Sequence, residues 1–231
     1  MQRSLLAIVL TLAGAAGLTA EPKAQQIVQA TQQFHQSATE LDLVWWIPNE
    51  FWEASLREDS SVPPETRKAL LAIVDRYLVF AVLEGKIGIT ASLSGTPKED
   101  LEGRITVHTA AGELRPLAES ALTGDARNFF QMMRPILAQM LGQVGQGMHF
   151  IVFEGRDAKG ARYADPSGSG FLTVKLGDKE FRWRLPLGCF LPVKYDAGTG
   201  EEFPGNYLYS PFTGTRLVAT KPDASAKNPD K

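Results

Sequence analysis

Apolar and polar positions follow two rhythms along this chain, one helical and one extended. A period close to 3.6 residues predicts three helices that face a core, over about residues 22–38, 63–77 and 125–141. In the first helix one face carries Ile27, Thr31, Phe34 and Ala38. Within the third, Pro135 predicts a kink or two abutting helices, because proline removes a backbone donor from the helix interior.

Shorter apolar runs alternate with glycine-bearing turns, a pattern that predicts strands joined as hairpins. The predicted turns are Glu84-Gly85, Ala111-Gly112 and Gly177-Asp178. Helices are interspersed among these hairpins, without the regular strand-helix alternation of parallel sheets. The pattern therefore predicts an α+β fold with a mostly antiparallel sheet of hairpins and about three helices.

The first twenty residues differ from the rest of the chain. Arg3 is their only charged residue, and an apolar run is followed by small residues that end at Ala20. This pattern is typical of a secretory signal peptide and is too short to span a bilayer, so we expect a periplasmic or secreted protein with no transmembrane segment after signal removal. The expected organisation is a signal peptide at 1–20, an α+β domain at 21–194, a small module at 195–217 and a disordered tail at 218–231.

Charge and cysteine content narrow the functional classes. The net charge of -2 offers no basic face of the kind that nucleic-acid binding requires, so no nucleic-acid partner is expected. The single cysteine, Cys189, lies between apolar neighbours and is typical of an inert core thiol. The histidines His35, His108 and His149 lack the spacing of a metal-binding or catalytic motif. We predict no metal and no cofactor.

Two similar turns lie near the C-terminus, DAGTG at 196–200 and SPFTG at 210–214. Each has a polar residue, two spacers, a threonine and a glycine, and a zinc ribbon has the same frame with cysteine at the first and fourth places. The linker EEFPGNYLY and the exit GTRL also resemble that family. The stretch 195–217 therefore resembles a two-knuckle zinc ribbon in which all four ligands are replaced, by Asp196, Thr199, Ser210 and Thr213.

The replaced ligands change what this resemblance implies. A carboxylate and three hydroxyls are a poor set for zinc, which prefers thiolate and imidazole ligands. We predict that Asp196 and Ser210 hold the turns by accepting backbone amide hydrogen bonds, which leaves a metal-free stabilising or interaction module. Cohesion would come from the aromatic residues Tyr195, Phe203, Tyr207, Tyr209 and Phe212. The alternatives are two unrelated turns and a hard-cation site at Asp196.

A second candidate site is the stretch WWIPNEFWE at 45–53. Trp45, Trp46 and Trp52 offer flat apolar faces, and Glu50 and Glu53 would share one face of a helix. Sugar-binding and glycoside-hydrolysing proteins combine aromatic faces with carboxylates in this way. The alternative is that the tryptophans anchor the core, since large aromatic side chains dominate core burial.

Three functional hypotheses follow. The leading one is an exported, non-enzymatic protein that binds a protein or an envelope component. The order of signal peptide, α+β body and ribbon-like end favours this interpretation, because that order resembles the organisation of exported bacterial proteins. The second is a carbohydrate-binding or glycoside-hydrolysing protein that uses Glu50 and Glu53, and it requires an open cleft with Trp45 or Trp52 exposed. The third is a structural envelope subunit, which would self-associate.

Overall fold

A computed structural model of the protein describes residues 21–88 and 92–222, apart from the side chains at 140, 141 and 143. The predicted signal peptide and positions 223–231 of the predicted tail lie outside the described residues. The described helices are α1 Ala24–Thr31, α2 Asn49–Glu58, α3 Pro64–Val74, α4 Lys98–Glu102, α5 Gly124–Leu141 and α6 Gln143–Gln146. The strands are β1 Gln32–Gln36, β2 Glu40–Ile47, β3 Tyr77–Ile87, β4 Leu93–Gly95, β5 Ile105–Thr109, β6 Gly112–Leu114, β7 His149–Glu154, β8 Gly170–Leu176, β9 Lys179–Leu185, β10 Lys194–Tyr195 and β11 Glu202–Phe203.

The strands form two main antiparallel sheets and a small ribbon, as the α+β prediction required. In the five-stranded sheet β3 is central, and β2 lies between it and the edge strand β1. On its other side, β3 pairs with β7 along its first half and with β4 near its end. The four-stranded sheet has the order β6-β5-β8-β9. The ribbon of β10 and β11 belongs to the C-terminal module.

The two sheets pack face to face, and the helices cover the outer face of the five-stranded sheet. Trp46 and Phe80 of that sheet meet Leu172 and Trp183 of the other in one core. On its opposite face, Trp45 and its neighbours pack beneath α1, α2, α3 and α5 in a second core. Because the five-stranded sheet is buried on both faces, β2 reads as the continuous apolar run LVWWI.

The first predicted helix is too long. Helix α1 ends at Thr31, and the next five residues form β1, which pairs with β2 in the register Phe34 to Leu43. Phe34 is consequently 58% exposed and does not lie on a buried helical face. Glutamine favours helices by intrinsic propensity, but that preference is weak, and pairing with β2 overrides it in this segment.

One of the three predicted hairpin turns is wrong. Strand β3 continues through Glu84 and Gly85 to Ile87. A Cβ atom at Gly85 would lie 2.7 Å from the Leu93 side chain, so this glycine permits close packing against β4 and does not form a turn. The turns at Ala111-Gly112 and Gly177-Asp178 are confirmed by the pairing of β5 with β6 and of β8 with β9.

The other two predicted helices are confirmed as α3 and α5. Helix α5 runs through Pro135 as one helix, so of the two alternatives predicted there the abutting helices are ruled out, and Gly142 follows its end with a positive φ of 60°. In the described ranges 21–88 and 92–222, no helix combines the length and the apolar character needed to cross a membrane.

Candidate functional site

The first of the two C-terminal turns is built around Asp196, whose side chain is buried. Its Oδ1 accepts hydrogen bonds from the backbone amides of Gly198 at 2.8 Å and Thr199 at 3.0 Å. The amide of Gly200 closes the turn on the Asp196 carbonyl at 2.8 Å, and Gly200 has a φ of +73° that a residue with a Cβ rarely adopts. The predicted turn-holding role of Asp196 is confirmed.

The second turn repeats this geometry around Ser210, which is also buried. Its Oγ accepts hydrogen bonds from the amides of Thr213 at 3.2 Å and Phe212 at 3.4 Å. The amide of Gly214 reaches the Ser210 carbonyl at 2.9 Å, with a φ of +70° at the glycine. The predicted role of Ser210 is confirmed as well, and the two turns are conformationally alike.

The Asp196 carboxylate joins the two turns. Its Oδ2 accepts hydrogen bonds from the hydroxyls of Thr213 at 2.6 Å and Thr215 at 2.7 Å. These two hydroxyls, together with the amides of Thr199 and Gly198, hold the pKa of Asp196 well below its usual range, so the group is ionised at neutral pH. Each carboxylate oxygen already accepts two hydrogen bonds, which leaves no lone pair for a hard cation.

Thr199 and Thr215 make different contacts with the centre of the module. The Thr199 hydroxyl accepts the amide of Glu201 at 3.3 Å, and only its backbone amide contacts Asp196. Thr215, which the sequence frame did not single out, supplies the second hydroxyl to the carboxylate. The hydrogen-bonded centre therefore consists of Asp196, Thr213 and Thr215, with Ser210 holding the backbone beside it.

The module's aromatic residues comprise one buried ring, the half-buried Tyr195 and an exposed group. Phe203 is buried, and its ring lies 6.3 Å from that of Tyr207 and 6.1 Å from that of Phe212. Tyr209 and Phe212 are 59% and 76% exposed. The predicted cohesion therefore comes from Phe203 and the rings that pack against it, whereas most of the Tyr209 and Phe212 surface faces solvent.

We name the exposed group Tyr207, Leu208, Tyr209 and Phe212 the aromatic surface. Leu208 is 64% exposed, the second highest value among the exposed large hydrophobic residues. The backbone beneath it is fixed: the Leu217 amide donates to the Leu208 carbonyl at 3.0 Å, and Tyr209 is bridged to Arg216. Several large apolar side chains exposed within a short segment of hydrogen-bonded backbone are typical of an interaction site.

The module is tied to the rest of the protein at its base. The Gly205 amide donates to the Gly188 carbonyl at 3.1 Å, and a Cβ at Gly205 would lie 2.4 Å from the Pro192 carbonyl oxygen. Val218, assigned by the sequence to the tail, exchanges two backbone hydrogen bonds of 2.8 Å with Tyr195. The module therefore extends beyond its predicted end at residue 217.

The three tryptophans of WWIPNEFWE do not form a binding platform. Trp45, Trp46 and Trp52 are 2%, 1% and 5% exposed. The Trp45 indole donates to the Thr31 hydroxyl at 3.2 Å, and the Trp52 ring packs edge-on against Phe129 at 5.2 Å. The ligand-binding interpretation of these indoles is wrong, because helices or the second sheet cover each face on which they lie. The alternative, that they anchor the core, is confirmed.

Glu50 and Glu53 both lie on α2, as predicted, and line a cleft of about 280 Å³. Glu50 forms an ion pair with Arg162 through two hydrogen bonds of 2.6 and 3.0 Å, so the guanidinium balances the negative charge of the Glu50 carboxylate. Burial first, and then the charge of Glu50, raises the pKa of Glu53. Cys189 lines the same cleft, and burial raises the pKa of its thiol to about 11, so the thiol is protonated at neutral pH.

A charged cluster that the sequence did not indicate closes one end of the space between the sheets. Asp42 is fully buried, and Lys179 donates to it at 2.5 Å and to Glu40 at 3.0 Å. His35 Nδ1 lies 3.5 Å from Asp42. His35, Glu40 and Asp42 are residue types that bind metals, but the Lys179 ammonium supplies the positive charge between the two carboxylates. The sequence signal that could have indicated this cluster is the alternation Glu40-Leu41-Asp42-Leu43, which places both carboxylates on the same face of a strand.

Burial alone would lower the pKa of Lys179, but its hydrogen bonds to Asp42 and Glu40 raise it, so the lysine stays charged. One oxygen of Asp42 has no hydrogen-bond partner among the described residues. The cluster is therefore a structural ion pair whose integrity depends on Lys179.

Comparison of the chain with protein-family models, with curated proteins and with solved structures returns no match.

Proposed function

We propose that this protein is an exported, non-enzymatic binding protein that docks a protein partner through the aromatic surface of its C-terminal module. The observation that carries this proposal is the exposure of Leu208, Tyr209 and Phe212, which are 64%, 59% and 76% accessible within five residues of chain. Tyrosine is enriched among the few residues that carry most of the binding energy at protein interfaces, and phenylalanine is enriched in interface cores. The assignment to an exported location depends on the sequence of residues 1–20.

The fixed backbone beneath the aromatic surface favours docking. Asp196 and Ser210 hold the turns on either side of it through four amide hydrogen bonds. A surface whose backbone is already ordered loses little conformational entropy when a partner binds, and tyrosine and phenylalanine side chains have few torsions to fix. We also infer that the module is a zinc ribbon in which the Asp196 carboxylate has taken over the organising role of the metal.

The chemistry of the aromatic surface favours a protein over a glycan. Leu208 and Phe212 carry no hydrogen-bonding group, whereas a sugar needs polar partners beside an aromatic face. The three tryptophans considered for sugar binding are buried. A partner with an apolar pocket at its centre and polar groups at its rim would complement this surface.

The test is affinity capture from an extract of the source organism's cell envelope, with the full exported chain as bait. The double variant Leu208→Ser/Phe212→Ser is compared with wild type and with Phe34→Ser, which removes an equally exposed ring from β1. We expect one protein to be recovered by wild type and by Phe34→Ser at least about tenfold above the double variant. Equal recovery by all three baits would refute the proposal.

Self-association is measured on the same proteins by light scattering. A mass that doubles with concentration in wild type but not in the double variant would identify the partner as a second copy of the chain. That result would favour the structural-subunit hypothesis over docking of a different protein.

A further inference from the structure

A second cleft lies between the start of α4, helix α5 and strand β7, and its lining residues fall between positions 97 and 152. Its volume is about 430 Å³, within the range of small-molecule sites. The apolar part of its lining consists of Leu122, Phe130, Phe150 and Val152. The charged and polar part includes Lys98, Glu99, Glu119, Arg127, Arg134 and His149. We name this space the basic cleft.

Its positive charges are only partly neutralised. The side chain of Arg134 makes no hydrogen bond or ion pair with any residue in the described part of the chain. Arg127 donates to the backbone carbonyl of Leu122 at 2.6 Å, a contact that orients the guanidinium and leaves its charge in place. Lys98 lies 3.4 Å from Glu102, in a surface pair of the kind that screens little of its charge.

The pKa of His149 responds to the positive charges in the basic cleft. Burial first, and then the charges of Arg134 and Lys98, lower the pKa of its imidazole, so the ring is neutral at pH 7. The lining also contains the exposed carboxylates of Glu99 and Glu119, and Lys98 pairs with Glu102, so the positive charge available to a ligand is that of the two arginines, neither of which has a carboxylate partner among the described residues. A neutral imidazole beside two cations can donate or accept a hydrogen bond with a ligand without adding charge.

We propose that the basic cleft binds a small organic anion, with its anionic group between Arg134 and Arg127 and an apolar, ring-containing body against Phe130 and Phe150. Phe130 and Phe150 are buried except for the 7% and 9% of their surface that remains exposed, and an organic anion can contact these ring edges where an inorganic ion cannot. The orientation of Arg127 by a backbone carbonyl means that one of the two guanidinium groups is already in place before binding. This site is independent of the aromatic surface and does not rest on the proposed function.

The probe for this site is 8-anilinonaphthalene-1-sulfonate, a fluorescent aromatic anion, titrated into the full exported chain. Its uncharged relative N-phenyl-1-naphthylamine has the same ring system and tests the contribution of charge. Two variants are compared with wild type: Arg134→Gln, which removes the charge, and Arg134→Glu, which reverses it. Neither breaks a hydrogen bond or ion pair, because the Arg134 side chain makes none with the described residues. Arg184→Gln on the exposed face of β9 is the matched control, and Leu208→Ser/Phe212→Ser removes probe binding to the aromatic surface.

We expect saturable binding of the anionic probe that weakens about fivefold in Arg134→Gln and further in Arg134→Glu. Arg184→Gln and the aromatic-surface variant should retain the wild-type affinity at this site, and the uncharged probe should bind without dependence on position 134. Absence of saturable binding, an unchanged affinity in both Arg134 variants, or an equal loss in Arg184→Gln would each overturn the proposal.

Discussion

The carboxylate of Asp196 accepts a hydrogen bond from the hydroxyl of Thr213 at 2.6 Å, across 17 positions of the chain. This contact joins two turns that are each closed locally, so it converts two independent loops into one module. The aromatic surface lies between and on these turns, and its geometry depends on the contact. Stability of the module and access to its apolar side chains are therefore linked through one buried carboxylate.

Replacement of Asp196 by asparagine keeps its shape but removes the charge and turns one acceptor into a donor. We expect the melting temperature at pH 7 to fall by about 5 °C or more, because the new amide faces hydroxyl or amide donors. Glu201→Gln, an exposed neighbour, serves as the control and should melt like wild type. Identical melting of Asp196→Asn and wild type at pH 7 would contradict the proposed role of the charge.

The same variant gives a pH test. The pKa of Asp196 is lower in the folded protein than its ordinary value of 3.8, so its contribution to stability is complete above about pH 5 and is lost as the pH falls through 3.8 towards the pKa of the folded state. The difference in melting temperature between wild type and Asp196→Asn should narrow between pH 5 and about pH 2.5. A difference that stays constant over this range would show that ionisation does not matter.

Introduction of cysteine at the four positions Asp196, Thr199, Ser210 and Thr213 tests the zinc-ribbon resemblance. In a Cys189→Ser background, we expect the fourfold variant to bind Zn²⁺ and to give the visible absorption of tetrahedral thiolate-bound Co²⁺, because the two turns already face each other. A variant with only three of these cysteines is the control and should bind more weakly. Failure of the fourfold variant to bind either metal would favour two unrelated turns.

Two tryptophan substitutions separate the contributions of packing and hydrogen bonding in the core. The Trp45 indole donates to Thr31, whereas the Trp52 indole nitrogen finds no acceptor among the described residues. Trp45→Phe should therefore reduce the free energy of unfolding by about 1 kcal/mol more than Trp52→Phe. Urea denaturation of both variants checks this order, and equal losses would argue that the Thr31 contact contributes nothing.

Removal of the Lys179 charge should be severely destabilising, because it leaves Asp42 buried without its cation. We expect Lys179→Met to lower the free energy of unfolding by about 3–5 kcal/mol, and the double variant Asp42→Leu/Lys179→Met to recover much of that loss. Lys175→Met, on the exposed face of β8, is the matched control. Additive effects of the two substitutions would mean that the pair is not coupled.

The fold was predictable from sequence where one pattern of apolar positions continues through a whole helix or strand. Helices α3 and α5 have long apolar stripes, and β2 is continuously apolar because it is buried on both faces. The conformation of Gln32–Gln36 was not readable, since it depends on pairing with β2. The role of Gly85 depends likewise on the approach of Leu93, a contact with a different strand.

The site divides in the same way. Asp196 and Ser210 were predictable because their amide partners lie two and three residues ahead in the chain, where local turn chemistry decides. The exposure of Phe212 and the contact of Thr215 with Asp196 depend on how the two turns meet. The basic cleft combines Arg127 and Arg134, which lie seven residues apart on α5, with Lys98 of α4, and only tertiary packing brings these two helices to one cleft.

The most direct test of the account is photo-crosslinking in cells of the source organism. A benzoylphenylalanine is placed at Phe212 in the aromatic surface and, as the control, at Lys68 on the exposed face of α3. We predict a discrete adduct with one other protein from position 212 and no such adduct from position 68. The absence of an adduct from position 212, or the same adducts from both positions, would contradict the claim that the aromatic surface is a docking site.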